Sequence, residues 1–409
     1  MSDSQREPAS RDARRKQLGA WYTPLALVEA VAREAVFPGA VSVLDPACGD
    51  GRFLRATGLA HQVGVDIVAD TETSTEYIRD DALQRDWGGE QFDVIVGNPP
   101  FLNQLSSLTS RGGRSRFGGG PYADAAAEFL ALAMQLVRPG GRIGLVLPQS
   151  LLAARDAAAI RAEVDRVAAL RWMWWTTSNV FDASVRVWAG VWEVGGAPLP
   201  VRRSFGDAFE PIAPMPMPRS WASLLTGDSV ADHDGPVLGD IASFTSDFRD
   251  QYYGLVGAVG DDVHGPPLVT SGLIDPGVCH WGSRPVRFAK QRFAAPRVAL
   301  DRLSPALQRW AAQRLVPKIL VANQTSTIEA VHDVAGEWLP GVPVITCVTS
   351  HAERVLRVLG SRAANDWVRN HAAGSGLSPT SVRLNPRLLA SIPLLEGSPE
   401  QPAGASGAS

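Results

Sequence analysis

Two short segments hold residues able to grip an amine and activate it. VIVGNPPF (94–101) closes an apolar run with Asn98, two prolines and Phe101. Adjacent prolines cannot continue a sheet. They stiffen the loop and leave carbonyl groups without local donors. The Asn98 amide oxygen and the Pro99 carbonyl are then two acceptors for the two hydrogens of an amine. Holding both hydrogens draws the nitrogen lone pair out of conjugation and toward an electrophile. Pro100 keeps the loop rigid, and Phe101 offers a flat apolar face on which the ring carrying the amine can stack.

The second segment is LDPACGDGRFL (44–54). An apolar run ends at Asp45, and Pro46, Ala47, Cys48, Gly49 and Gly51 form a turn into a helix. Glycines permit such a turn and let a ligand approach the backbone. No GxGxxG and no GK[ST] accompanies it, so the loop fits a nucleotide-like cofactor outside those two classes. Asp66 ends the next apolar run, where a carboxylate can accept both hydroxyls of a ribose. Asp81 lies before the third run, within reach of an adenine amino group, with Asp80 the competing choice. Cys48 sits in the cofactor loop rather than the catalytic loop, and its side chain reads as packing, not as a nucleophile.

The elements that must position these loops follow from pattern. VSVLDP (41–46), QVGVDI (62–67), FDVIVGNPP (92–100) and GRIGLVLP (141–148) are short apolar runs suited to buried parallel strands. Residues 123–137 and 151–169 have helical spacing, and 171–175 and 184–194 read as later strands. Strand and helix in alternation predict a Rossmann-like, doubly wound α/β domain over 19–200. Clustered Pro and Gly over 201–240 predict a linker or crossover. A mixed α+β domain is expected over 241–396, and disordered tails over 1–18 and 397–409.

Composition narrows the function. Apolar residues make up 45% and charged residues 20%, as in globular proteins. No run of about 20 apolar residues suggests a bilayer span, and the polar first residues lack the apolar core of a secretory signal. A cytoplasmic protein without membrane contact is the expectation. Three cysteines without CxxC or CxxH spacing give no metal site. The net charge is −3, yet Arg284–Lys318 holds nine cations against Asp301 alone, a local +8. Arg284, Arg287, Lys290, Arg292 and Lys318 are thereby candidates for phosphate contact. Residues 102–121 add Arg111, Arg114 and Arg116 in a Gly-rich stretch without acids, a composition suited to a loop ordering on a nucleic-acid backbone.

In combination, DPACGDG, GNPPF and ALAMQLVRPGGRIGLVLPQSLL resemble the N6-adenine-specific DNA methyltransferases, with cofactor loop first and NPP[YF] second. GAWYTPLALVEAVA (19–32) is similar to that family's N-terminal segment, which implies cofactor contacts from Tyr22, Thr23 and Pro24. NVFDASVRVWAGVWEV (179–194) resembles its later strand pair. TSGLIDPGVCHWG with VPKILVANQT resembles the target-recognition domains of TaqI-like members. The resemblance implies S-adenosylmethionine as cofactor, with Asn98 also beside it, and duplex DNA as substrate. The target base would be extruded and methylated by direct transfer. A monomer is the default expectation, since one copy could methylate one strand at a time, and restriction–modification or phage defence is the expected setting. Without a PD…(D/E)xK arrangement, cleavage is expected from a separate endonuclease or defence subunit. An NPP[YF] loop also suits a protein glutamine amide or an RNA amine, and a non-catalytic DNA-binding defence subunit is the alternative from another class. Asp50 replaces the small Ser common at its position and is expected to face solvent.

Overall fold

The computed structural model describes residues 23–68, 76–101, 117–120, 123–181, 185–226, 233, 235–247, 249–372 and 381–394. The expected tails, Tyr22, and the arginines at 111, 114 and 116 lie outside the described residues. The chain divides near residue 230 into two compact units.

The first unit is built on a nine-stranded sheet. Its strands are β1 (Ser42–Asp45), β2 (His61–Asp66), β3 (Glu76–Arg79), β4 (Phe92–Gly97), β5 (Val137–Pro148), β6 (Ala168–Trp175), β7 (Val187–Val194), β8 (Val201–Phe205) and β9 (Glu210–Met215). They lie in the order β3-β2-β1-β4-β5-β7-β6-β8-β9. Strands β1 to β5 run parallel, whereas β7 is inserted antiparallel between β5 and β6. The sheet is therefore mixed rather than wholly parallel.

Side chains alternate between two apolar layers, as a strand's two-residue period requires. Leu44, Ile95, Ile143, Leu145 and Met173 point to one layer. Val43, Val94, Val96, Val146 and Trp172 point to the other. Helices α3 (Ala125–Leu136) and α4 (Ala158–Val167) cover the first, through residues such as Phe129, Leu130 and Ile160. Helices α1 (Leu25–Ala35) and α2 (Arg52–Thr57) cover the second, through Leu27, Val31, Phe53 and Leu54. This is the doubly wound arrangement, and it explains why β4 is buried at all six positions. Asp124 starts α3 by accepting the Ala126 amide at 3.0 Å.

Residues 201–240, read as a linker, in fact begin with two strands of this sheet. Val201 and Arg203 are buried and Arg202 is exposed, an ordinary strand alternation. The prolines that suggested a linker, Pro211 and Pro214, fall on β9, an edge strand. An edge tolerates residues that cannot donate to a neighbour.

The second unit holds a four-stranded antiparallel sheet, ordered Ser243–Ser246, Ile345–Val348, Lys318–Val321 and Ala330–Asp333. Helices Ala352–Leu359 and Arg362–Ala372 pack on it through Val355, Leu359, Ala364 and Val368. The expected α+β character is present, and the apolar runs at 318–322 and 342–348 supply two of the strands.

Candidate active site

Strand order reverses about β1, whose neighbours are β2 on one side and β4 on the other. In open α/β sheets the crevice beyond the carboxyl ends at such a point receives the ligand. The loop after β1 is Pro46–Gly51, and the loop after β4 begins at Asn98. The two singled-out motifs thus leave the same edge of the sheet, side by side.

The first loop is held by named contacts. Gly49 has φ +50 and Gly51 φ +74, a left-handed conformation that other residues rarely adopt. Gly51 opens α2, and its amide donates to the Cys48 carbonyl at 2.8 Å. The Gly49 amide donates to Asp66 Oδ2 at 2.9 Å, while Oδ1 takes the Val68 amide at 2.9 Å. Asp66 therefore clasps the cofactor loop as well as standing where a ribose contact was expected. Among the described residues a Cβ added at Gly49 would meet nothing within 4 Å, so they leave space beside the loop there. That opening, the glycine turn and the carboxylates beneath fit a nucleoside-type cofactor.

Asp45 is buried and, among the described residues, accepts one backbone donor, the Ala47 amide, at 3.0 Å. Burial pushes its carboxyl well above the usual range; the Ala47 bond opposes this, and the nearby Asp66 and Asp50 charges add to it. Gly97 explains part of the second motif. A Cβ at that position would lie 2.6 Å from Asp45 Oδ1. The glycine of GNPPF thus makes room for the aspartate of DPACG. Sequence reading passed over it, although its place directly before Asn98 was visible.

Asp50 does not simply face solvent. Its carboxylate takes the Arg52 side chain at 2.7 Å, and Arg52 also donates to the Thr23 carbonyl at 2.5 Å. Burial would raise the Asp50 carboxyl, but Arg52 outweighs it and the net shift is downward. Arg52, which sequence reading missed, ties the buried Thr23 and the adjoining Pro24 to the cofactor loop. Cys48 is buried, and its amide donates to the Val65 carbonyl at 3.0 Å. Gly64 leaves space for its sulfur, 2.9 Å from an added Cβ. Burial, then the Asp45 and Asp66 charges, drive the thiol far up, which suits packing and not nucleophilic attack.

In the second loop Pro99 is buried, and Asn98, Pro100 and Phe101 are half-buried. The Asn98 Oδ1 is shielded from solvent. Phe101 faces Phe181, ring centres 6.1 Å apart, so a second aromatic ring adjoins the loop. Asp80 and Asp81 follow β3 at the same edge of the sheet, the Asp80 amide donating to the Asp66 carbonyl at 3.2 Å. The Asp81 carboxylate closes its own turn through the Leu83 amide at 3.0 Å, and Asp80 lies 3.7 Å from Arg85.

The cations of the second unit separate into two groups. Lys318 is not a surface contact: it is 2% exposed and paired with buried Asp333 at 2.5 Å. Burial pushes its ammonium down, and Asp333 supports the charge. It sits on a central strand whose four residues are all buried, which removes it from the phosphate contacts. Arg284 pairs with Asp275 at 2.7 Å and Arg314 with Asp247 at 2.7 Å. Arg287, Lys290 and Arg292 are exposed. Among the described residues no helix is long and apolar enough to cross a membrane, and no group of three or more His, Cys, Asp or Glu could hold a metal.

Residues 62–171 match the model of the Eco57I restriction-modification methylase family. The chain is 31% identical over 179 residues to a type II methyltransferase of Thermus thermophilus, covering 37% of this chain and 39% of that protein. It thus spans about two fifths of that curated relative's length. The DNA-bound structure of the type IIL restriction-modification enzyme MmeI has the same fold, with a TM-score of 0.53 and 11% identity over 94% of this chain and 65% of MmeI. The α/β unit of this chain is related to the restriction-modification methylases, as its DPACGDG and GNPPF loops led one to expect, and S-adenosylmethionine is the cofactor that goes with that relationship.

Proposed function

We propose that this protein methylates the exocyclic N6 amine of adenine in duplex DNA, on a base turned out of the stack. The observation that carries the reading is the meeting of the two loops at one strand-order reversal, with Gly97 giving way to Asp45. Thr23, Pro24, Asp45, Pro46, Ala47, Gly49, Gly51 and Asp66 would hold the cofactor, joined by Cys48 as packing, by Asn98, and by Asp81 or Asp80 at the far side. When bound, S-adenosylmethionine supplies an electrophilic methyl group and brings positive charge. Asp45 and Asp66 near the loop suit that charge.

Asn98 and the Pro99 carbonyl accept the amine hydrogens, which orients the lone pair and favours the nitrogen as it becomes positive. Pro100 fixes the loop's direction. Phe101, with Phe181 beside it, stacks on the base and excludes water. A target inside a duplex is reached by extruding the nucleotide, and the cost of unstacking is met by this aromatic contact. MmeI, which shares the fold over most of this chain, is a restriction-modification enzyme seen with DNA. Duplex DNA is accordingly the proposed partner, the chain acting as a monomer in the cytoplasm with cleavage left to a separate subunit.

The test is transfer of tritiated methyl from S-adenosylmethionine to mixed-sequence plasmid, wild type beside Asn98→Ala, with products digested to nucleosides. Wild type should label N6-methyladenine. Asn98→Ala should lose roughly a hundredfold or more in rate, about 3 kcal/mol, while cofactor binding changes only a few-fold. Label in RNA or in a protein amide, with none in DNA, would defeat the substrate assignment. An Asn98→Ala enzyme that keeps its rate would defeat the role of the loop.

A further inference from the structure

Nine cations crowd Arg284–Lys318, but the second unit neutralises part of them internally. Asp275, Asp247 and Asp333 take Arg284, Arg314 and Lys318. Arg297 lies 4.7 Å over the Trp281 ring and donates to the Gly265 carbonyl at 2.8 Å. Of the five that remain, Arg302 and Arg309 are exposed elsewhere, and Arg287, Lys290 and Arg292 sit together on one small element, the β-hairpin formed by Val286–Phe288 and Gln291–Phe293.

This hairpin is built at a cost that its own fold does not recover. Arg287 and Arg292 stand directly opposite each other in the antiparallel register, so both guanidinium groups share one face. Like charges at such a pair are destabilising. Both are exposed, and neither has a hydrogen-bond or ion-pair partner among the described residues. The two-residue turn places Ala289 at φ +49 and Lys290 at φ +68, where Asn and Gly are the usual occupants. The opposite face is firmly anchored: Phe288 is buried, Val286 and Phe293 are half-buried, and Tyr252 packs on Phe288 with ring centres 5.0 Å apart. A strained turn and a repelling pair on a fixed platform are features of a ligand contact rather than of a scaffold.

We infer that the Val286–Phe293 hairpin enters the major groove of duplex DNA, where Arg287 and Arg292 read guanine edges. The inference rests on the DNA reading above and adds which element specifies sequence. A two-stranded ribbon fits the major groove, and a guanidinium pairs bidentately with guanine O6 and N7. Exposed arginines held at a fixed spacing suit base readout, which needs defined positions more than phosphate contact does.

The experiment uses the full chain. Sites methylated by wild type on plasmid DNA are mapped first. Affinity is then measured for a labelled duplex carrying the mapped site and for a scrambled duplex, over a range of salt, with wild type, Arg287→Ala and Arg292→Ala. Each substitution should cut the ratio of site to scrambled affinity about tenfold and make the methylated sites degenerate at one or two positions. Melting temperature should hold or rise, because the repelling pair is gone. Equal weakening on both duplexes, with the ratio kept, means that the arginines grip phosphate only and overturns the inference. So does unchanged binding, and so does a loss of selectivity that tracks a fall in melting temperature. A wild type that neither binds nor methylates duplex DNA instead overturns the DNA reading itself, which separates the two failures.

Discussion

Asp93 and Asp45 stand on neighbouring parallel strands of one sheet, at opposite ends, and their surroundings treat them in opposite ways. Asp93, at the start of β4, accepts the Val41 amide at 2.8 Å, the Ser42 amide at 2.9 Å and the Ser42 hydroxyl at 3.0 Å, and it pairs with Arg138. Burial alone would raise its carboxyl. The two amides, Arg138 and the hydroxyl together outweigh burial and bring it down to about 2. Asp45, at the end of β1, is more deeply buried and, among the described residues, accepts only the Ala47 amide, with two carboxylates nearby. The amino end of the sheet is fastened by a satisfied charge. The carboxyl end holds a buried carboxyl whose ionised form the fold disfavours and a bound cation would favour. That division between holding and binding is what the strand-order reversal predicts for the two ends of such a sheet.

The largest expected break of this contrast is Asp93→Ala. It leaves the part-buried bonds from the Val41 and Ser42 amides and from half-exposed Arg138 without their acceptor and loosens β1 from β4. Stability should fall by about 3 kcal/mol in urea unfolding, as expected for removing the shared acceptor of several part-buried hydrogen bonds, with the half-exposed Arg138 pair counted at little. The pH dependence carries the same sign. The Asp93 carboxyl is depressed from its ordinary 3.8 to about 2, so its contribution is present above about pH 4. It is lost as pH falls through 2, and amounts to roughly 2 kcal/mol. Wild type should therefore lose that stability over the window from pH 4 to 2, and Asp93→Asn should not. A variant with wild-type stability and an unchanged acid limb would show that the clasp holds nothing.

Gly97→Ala sharpens the other end. The new methyl would lie where Asp45 Oδ1 stands within 2.6 Å. Either the aspartate or the Asn98 loop must shift. An overpacking cost of about 2 kcal/mol is expected, together with loss of both cofactor binding and rate. Pairing it with Asp45→Ala should restore much of the stability and none of the binding. Additive losses in the double variant would mean that the two loops do not depend on each other.

Much of this sheet was legible because its reasons are local. The apolar runs of β1, β2, β4 and β5 and the loops that follow them announce themselves, since a doubly covered strand must be apolar throughout. β3 was missed because Glu76–Arg79 is a short edge strand with no apolar run. β8 and β9 were misread because prolines signal a break, while an edge admits them. The cations failed for a different reason. Asp247, Asp275 and Asp333 lie outside the window that was counted, so a charge of +8 along the sequence is not +8 in space. The Asp50–Arg52–Thr23 tie was equally out of reach, because it joins residues nearly thirty positions apart.

The smallest expected effect on stability, and the most telling, is Asp45→Asn. The substitution keeps the shape and can still accept the Ala47 amide, but it removes the buried ionisable group. Burial raises the Asp45 carboxyl in the fold above its unfolded value, so the wild type binds the proton more tightly folded than unfolded. Its stability then declines as pH rises above about 4, because folding disfavours the ionised form. Asp45→Asn should remove that decline and gain on the order of 1 kcal/mol at neutral pH, a rise of a few degrees in melting temperature. Affinity for S-adenosylmethionine should drop at least about tenfold, because the carboxylate that the cofactor's positive charge would relieve is no longer present. A more stable protein that binds less well is the signature of a residue kept for its ligand. A less stable one that binds normally would place Asp45 with Asp93, as a fastening, and would dissolve the contrast between the two ends.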